Sequence, residues 1–338
     1  MATLDEAIAL RAAGIEAPVL ILYPIPPEAA AAAAAARVEL VAAEADSLAA
    51  TLKAWRGRPG AAMGLATLRL HLEIETGLAR AGFRPNAAAA AAQGIADTPG
   101  VELAGIWSHL ASSHDADASL DQLERFSTAE AAIRSAGLAV PPRHLAATGA
   151  LLAGTGPSFE LVRPGLALYG ELPDAFPISE DRARLVAKLR PAMTLKARAI
   201  RLEWFEADET VGYGGRWTAP RRSLLATLPL GYGDGWARAY GGRSSALVRG
   251  RRVPLVGSVA MDAVMADVTA LPDITVDDEF VLIGSQSGER ISVADLARAR
   301  TTISWEVLAS MAYRVARVYH AAAGLSGIRT LAGESLTR

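Results

Sequence analysis

Six short apolar runs alternate with helix-like segments over the first half of this 338-residue chain. The strand-like runs are Pro18–Tyr23, Val38–Ala42, Leu68–Glu75, Leu103–Leu110, His144–Thr148 and Pro164–Tyr169. Between them lie helical patterns at Pro27–Ala36, Asp46–Arg56, Asn86–Gln93 and Ser119–Ser135, with a short one near Gly149–Leu152. This alternation leaves few choices. Parallel neighbours need a crossover, and a helix supplies it, so an α/β barrel or a doubly wound sheet is expected. The alanine runs at 29–36 and 87–92 read as small-residue helix faces without chemistry.

The order of elements matters as much as their kind. Thr3-Leu4-Asp5-Glu6 fits a capping box, so the chain opens on a helix, whereas a parallel unit normally opens on a strand. A closed barrel needs about eight strand–helix units. The expectation is a barrel with six of eight strands, the missing ones lying upstream of Met1. From about Pro191 the texture changes to short alternating runs separated by Gly, Pro and Asp turns, among them Ser223–Leu230, Ser245–Val248, Arg252–Val259 and Val264–Val268. That pattern predicts a mainly antiparallel β domain. The division is placed after residue 184, giving a (β/α) barrel domain over 1–184 and a β domain over 185–338.

Composition excludes several classes. Cysteine is absent, which removes disulfides, thiolate metal sites and a cysteine nucleophile. A formal charge of −2 argues against nucleic acid or an acidic membrane as partner. No apolar stretch reaches the roughly 18 residues of a spanning helix, and no secretory signal is readable. The five histidines show no metal-like spacing. A cytoplasmic enzyme or binding protein is expected.

Chemistry concentrates in a few motifs. Val211-Gly212-Tyr213-Gly214, Leu230-Gly231-Tyr232-Gly233-Asp234-Gly235-Trp236 and Val259-Ala260-Met261-Asp262 fall within about fifty residues of strand-like sequence. Upstream stand His71-Leu72-Glu73-Ile74-Glu75-Thr76-Gly77-Leu78-Ala79-Arg80 and Arg163-Pro164-Gly165-Leu166-Ala167-Leu168-Tyr169-Gly170. Plain structural roles exist for each. Tyr232-Gly233-Asp234-Gly235 is a good hairpin turn, Arg80 would serve as a solvated loop charge, and a threonine such as Thr148 after a strand usually caps a helix.

In combination these motifs resemble the alanine racemases, fold-type III isomerases that use pyridoxal 5′-phosphate, over nearly the whole chain. The resemblance implies a homodimer with shared active sites, interconverting L- and D-alanine by two-base proton transfer and supplying D-alanine for peptidoglycan. It assigns Tyr213 as catalytic acid/base, reaching the partner subunit's site. Its ordinary pKa near 10 would need lowering by neighbouring cations such as Arg80 or Arg238. Arg80, Tyr232 and Met261 would bind substrate, Met261 through its backbone N–H. Arg163 would face the cofactor's ring nitrogen. A guanidinium only donates, so that nitrogen would stay unprotonated and the electron sink weak. His109 would tune Arg163; Thr148, Gly165, Leu166 and Tyr313 would hold the phosphate; Glu73 and Asp262 would support. No metal is implied.

Two departures stand out. Glu73 occupies the place of a lysine that the family commonly carboxylates, and supplies a carboxylate directly. The only lysines are Lys53, Lys188 and Lys196, none in the family's cofactor-lysine motif. A lysine-free, catalytically inactive cofactor-binding or interaction protein is therefore the alternative. A related decarboxylase is disfavoured because those enzymes use cysteine.

Overall fold

The computed structural model describes residues 1–57, 66–173 and 176–336. It forms two compact units, the first holding Met1–Gly165 and Phe176–Lys188, the second residues 166–173 and those from Leu189 onward.

The first unit starts with helix α1 (Leu4–Ala12). Glu6 N–H donates to Thr3 Oγ1 while the Glu6 carboxylate accepts from the backbone of Thr3, closing the expected capping box. Six parallel strands follow: β1 (Val19–Leu20), β2 (Val38–Ala42), β3 (Leu68–Glu73), β4 (Val101–Trp107), β5 (Arg143–Ala147) and β6 (Leu161–Arg163). They pair in sequential order, the arrangement of a barrel wall rather than of a doubly wound sheet. Helices α2 (Ala30–Ala35), α3 (Ala45–Arg56), α4 (Ala88–Ala96), α5 (Ala116–Ser135) and α6 (Thr148–Ala153) supply crossovers, and α7 (Glu180–Val186) follows. The expected run Pro164–Tyr169 is not a strand. The ladder stops at Arg163, since Pro164 has no N–H to give it, and Leu166–Tyr169 form a 3₁₀ turn.

Side-chain alternation divides the sheet into two chemically different faces. Leu68, Leu70 and Leu72 of β3 pack with Val38, Leu40 and Ala42 of β2 and with Leu52, Ala92 and Phe126 of the helices. The opposite face takes Glu39 and Val41 from β2, Arg69, His71 and Glu73 from β3, and Gly105 and Trp107 from β4. Polar residues at every second position of a strand thus collect on one side.

The second unit is antiparallel. Its strands are β7 (Leu195–Arg198), β8 (Arg201–Phe205), β9 (Thr210–Val211), β10 (Trp217–Thr218), β11 (Ser223–Leu228), β12 (Ser245–Val248), β13 (Arg251–Val256), β14 (Val264–Asp267), β15 (Glu279–Gln286) and β16 (Glu289–Ile291). The main sheet runs β16-β15-β12-β13-β14-β11-β8, with β7 also on β15. Trp236, Leu247, Phe280 and Leu282 are fully buried in its core. Helices α8 (Val293–Arg300) and α9 (Ser304–Ala309) precede a three-stranded sheet of β17 (Arg317–Ala321), β18 (Gly324–Thr330) and β19 (Gly333–Leu336). Tyr313 lies in the turn before β17. Among the described residues no helix is long and apolar enough to cross a membrane.

Candidate active site

Arg163 ends β6 and its guanidinium packs, half-buried, against the carboxyl ends of the neighbouring strands. Nη2 donates to the carbonyls of Ser108 (2.7 Å) and Leu145 (3.2 Å), and Nη1 donates to Nδ1 of His144 (2.6 Å). His109 Nδ1 stands 3.4 Å from Nη2, and the Trp107 ring lies 4.7 Å beneath the guanidinium carbon. Burial pulls the Arg163 pKa down to about 10, so the group remains cationic at neutral pH. Burial first, then Arg163 and Arg80, hold His109 down to about 4, so this imidazole is neutral.

Arg80 sits in the loop after β3. Its Nη2 is 3.4 Å from Oε1 of Glu73, and its guanidinium lies 5.5 Å from the Tyr23 ring centre. Glu73 is 3% exposed, and burial raises its carboxyl pKa against the opposing pull of Arg80. The loop is kept short by Gly82 at φ +109°, where a Cβ would lie 2.6 Å from Glu75 N. Nearby, Thr76 Oγ1 bonds Ser108 Oγ (2.7 Å) and accepts from Gln122 Nε2 (2.9 Å), tying the loops after β3 and β4 to α5. At the start of α6, Thr148 Oγ1 accepts from the Gly165 N–H (3.0 Å). Thr148 and Gly165 are therefore together, but as partners of each other; Leu166 follows, buried, at the start of the 3₁₀ turn.

In the second unit Tyr213 is 76% exposed on a turn whose flanking Gly212 and Gly214 have φ of +77° and +75°. Ser258 Oγ donates to the Tyr213 carbonyl (3.0 Å). The Tyr232 turn is stitched to the Met261 loop: Tyr232 N–H donates to Ala260 O and Gly233 N–H to Met261 O. A Cβ at Gly231 would run into both of those carbonyls. The Met261 N–H has no partner among the described residues. Arg314 clamps the two loops, donating to Asp234 (2.7 Å), Asp262 (2.5 Å) and the Met261 carbonyl (3.3 Å). Its neighbour Tyr313 has its ring flanked by the guanidinium carbons of Arg317 at 5.3 Å and Arg329 at 5.0 Å.

Similarity to characterised families coincides with these two clusters. The family model for the N-terminal domain of alanine racemases matches residues 1–173, and that for the C-terminal domain matches 192–319. The chain belongs to the alanine racemase family. It is 36% identical over 324 residues to an alanine racemase of Desulfovibrio desulfuricans, covering 94% of this chain and 82% of that one. The structure of a Bacillus anthracis alanine racemase with bound L-Ala-P superposes with a TM-score of 0.85 at 28% identity, covering 97% of this chain and 82% of that one. A histidine racemase of Leuconostoc mesenteroides subsp. sake is also similar, with a TM-score of 0.77 at 28% identity over 92% of this chain and 81% of that one.

The alanine racemase motifs thus fall in two groups: Arg80, Glu73, His109, Arg163, Thr148 and Gly165 in the first unit, Tyr213, Tyr232, Met261, Asp262 and Tyr313 in the second. Sequence reasoning missed His144, His71, Glu39, Gln122 and Arg314. A signal for His71 was present in the Arg-Leu-His-Leu-Glu alternation of β3, which places its polar residues on one face. Arg314 carried none, because its partners lie 52 and 80 residues away in sequence.

Proposed function

We propose that this protein interconverts L- and D-alanine using pyridoxal 5′-phosphate, as a cytoplasmic homodimer whose sites are shared between subunits, and supplies D-alanine for cell-wall peptidoglycan. Residues 1–184 form the cofactor domain and 185–338 the domain that brings Tyr213. One observation carries the reading: a half-buried arginine, held by three acceptors beside a neutral histidine, at the end of a barrel strand. Such a group is a fixed, donor-only partner for an unprotonated ring nitrogen.

The residues suit the cofactor's ring and phosphate. Arg80 and Arg163 supply cationic donors for a strongly anionic group, and neutral His109 adds no proton that could pass to the ring. Thr148, Leu166 and Tyr313 offer a hydroxyl, a backbone N–H and a phenol for the phosphate, and Gly165, whose N–H is donated to Thr148 here, would turn that N–H to the phosphate. Attachment through a lysine is a different matter: Lys53 stands exposed in the last turn of α3, Lys188 is exposed, and Lys196 pairs with Glu279 at 2.8 Å. The cofactor, when bound, supplies the electron sink that makes the Cα proton of alanine removable.

The chain's own residues do the rest. Arg80 and the free Met261 N–H bind the substrate carboxylate, Glu73 orients Arg80, and Asp262 with Arg314 holds the Met261 loop. Tyr232 closes against the substrate side. Tyr213 takes or returns the Cα proton at its phenol oxygen, and its exposure in its own subunit suits a residue that completes the partner's site.

Chiral chromatography of the protein incubated with pyridoxal phosphate and either enantiomer tests this. Both reactions should converge on the same mixture of alanines. Inert alanine alongside interconverted histidine would refute the substrate assignment.

A further inference from the structure

A chain of polar side chains, separate from the Thr76–Ser108–Gln122 cluster, crosses the first unit behind Arg163, and its members beyond His144 have no role in the proposed reaction. Glu39 on β2, His71 on β3, His144 on β5 and Arg163 on β6 form a continuous chain of hydrogen bonds. Glu39 Oε2 is 2.8 Å from His71 Nε2, His71 Nδ1 is 2.8 Å from His144 Nε2, and His144 Nδ1 is 2.6 Å from Arg163 Nη1. The intervening strand, β4, contributes Gly105, where a Cβ would run into Nδ1 of His71. Four strands give one polar residue each, and the fifth gives space.

The direction of every bond follows from its ends. A guanidinium only donates, so His144 Nδ1 must accept and its proton must sit on Nε2. That proton is donated to His71 Nδ1, which must therefore be bare. The His71 proton is then on Nε2 and is donated to the Glu39 carboxylate. A proton on His71 Nδ1 would face the one on His144 Nε2, so both rings are neutral in this arrangement. Glu39 is fixed at the far end, its other oxygen taking Arg69 Nε at 2.7 Å while Arg69 also holds Glu102. The bond from His71 is the largest influence holding the Glu39 carboxyl down to about 2, and burial holds His144 down to about 2.

We propose that Glu39 is a positioning residue, which acts through His71 and His144 to fix the acceptor that anchors Arg163. The functional part rests on the reading that Arg163 faces the cofactor ring. Without the carboxylate, His71 is free to carry its proton on Nδ1. That would turn His144 over to the tautomer with a proton on Nδ1, opposing the Arg163 N–H. A residue three hydrogen bonds away thereby decides whether the guanidinium stays in place. Buried networks of this kind respond as a unit.

Imidazole ¹⁵N NMR of the full chain tests the relay, and binding of 4-deoxypyridoxine 5′-phosphate, which has the ring nitrogen and phosphate but no aldehyde, tests its consequence. In the unsubstituted protein both His71 and His144 should show protonated Nε2 and bare Nδ1. Glu39→Gln should keep that pattern, since its amide oxygen can accept from His71 while the half-exposed Arg69 moves aside. Glu39→Leu should shift the His144 Nδ1 signal and weaken the probe roughly tenfold, the order by which outer partners of site groups act; the Gln variant should stay within about twofold of the parent. Gly105→Ala should reproduce the Leu result without removing a charge. Unchanged imidazole signals in Glu39→Leu, or shifted signals with unchanged affinity, would overturn the proposal. A probe that binds no form, with the imidazoles responding as expected, would sink the cofactor reading and uphold the relay.

Discussion

At the scale of single residues, chemistry here is set by what each group is forbidden to do. Arg163 cannot accept a hydrogen bond, and this one restriction orders the protons on His144 and His71. Burial keeps His109 and His144 neutral, with pKa values of about 4 and about 2 against the usual 6.5. The unfolded chain takes up those protons near 6.5 and the folded one does not, so stability must fall as pH drops below that value. Glu39, held at about 2 against 4.5, adds the same sign at lower pH, while Glu73, raised by burial, opposes it. Denaturant midpoints should therefore decline between neutral pH and about pH 4, and His144→Asn should flatten the decline. Parallel curves for the two proteins would show that the histidine is not responsible. Arg163→Leu leaves Ser108 O, Leu145 O and His144 Nδ1 without their donor and should cut turnover by more than about tenfold. Wild-type kinetics from that variant would remove Arg163 from the site. Thr148 was legible because it ends an apolar strand-like run and His109 because it falls within one; Arg163 stood out as an arginine leading into the run Pro164–Tyr169, which is a turn rather than the expected strand. His144 was readable as a strand residue and opaque as an acceptor, since its partners come from other strands.

Elements carry the site by ending where they do. The ladder of β6 stops at Pro164, so the segment expected as a strand is a turn, and it lifts Gly165 to Thr148. Expectation and structure agree where period and cap act together, as at Thr3 and along Ala45–Arg56. They part where a proline decides, as at Pro164. Among the glycines, Gly231 belongs to this scale because its missing Cβ lets the Tyr232 turn dock on Ala260 and Met261. Gly231→Ala should cost roughly 1–3 kcal/mol of stability, the usual range for forcing atoms into a packed contact. It should also raise KM for alanine more than it lowers kcat, because it displaces the Met261 N–H rather than Tyr213. A variant with unaltered thermal unfolding and KM would contradict that docking.

For the whole molecule, the change of texture near Pro191 was enough to anticipate a parallel unit followed by an antiparallel one. The sequential order of six parallel strands decides between the two α/β architectures that the alternation left open. The proposed sharing of sites between subunits predicts complementation. Arg163→Leu and Tyr213→Phe chains, each crippled alone, should regain activity when co-assembled, because a mixed dimer has one site with both residues intact. Mixed dimers that stay inactive would mean that each site is built within one subunit. None of the three lysines lies in the family's cofactor-lysine motif, so borohydride reduction with pyridoxal phosphate should leave Lys53, Lys188 and Lys196 unmodified by mass spectrometry; a reduced adduct on any of them would reveal a different cofactor site. The central claim is that Tyr213 moves the Cα proton of alanine. Its most direct test is Cα-proton exchange of L-alanine in deuterated water, followed by NMR with the protein and pyridoxal phosphate. The unsubstituted protein should exchange that proton, and Tyr213→Phe, which keeps the ring and loses the phenol, should be slower by roughly 10²–10⁴-fold. Equal exchange rates in the two proteins would contradict the account.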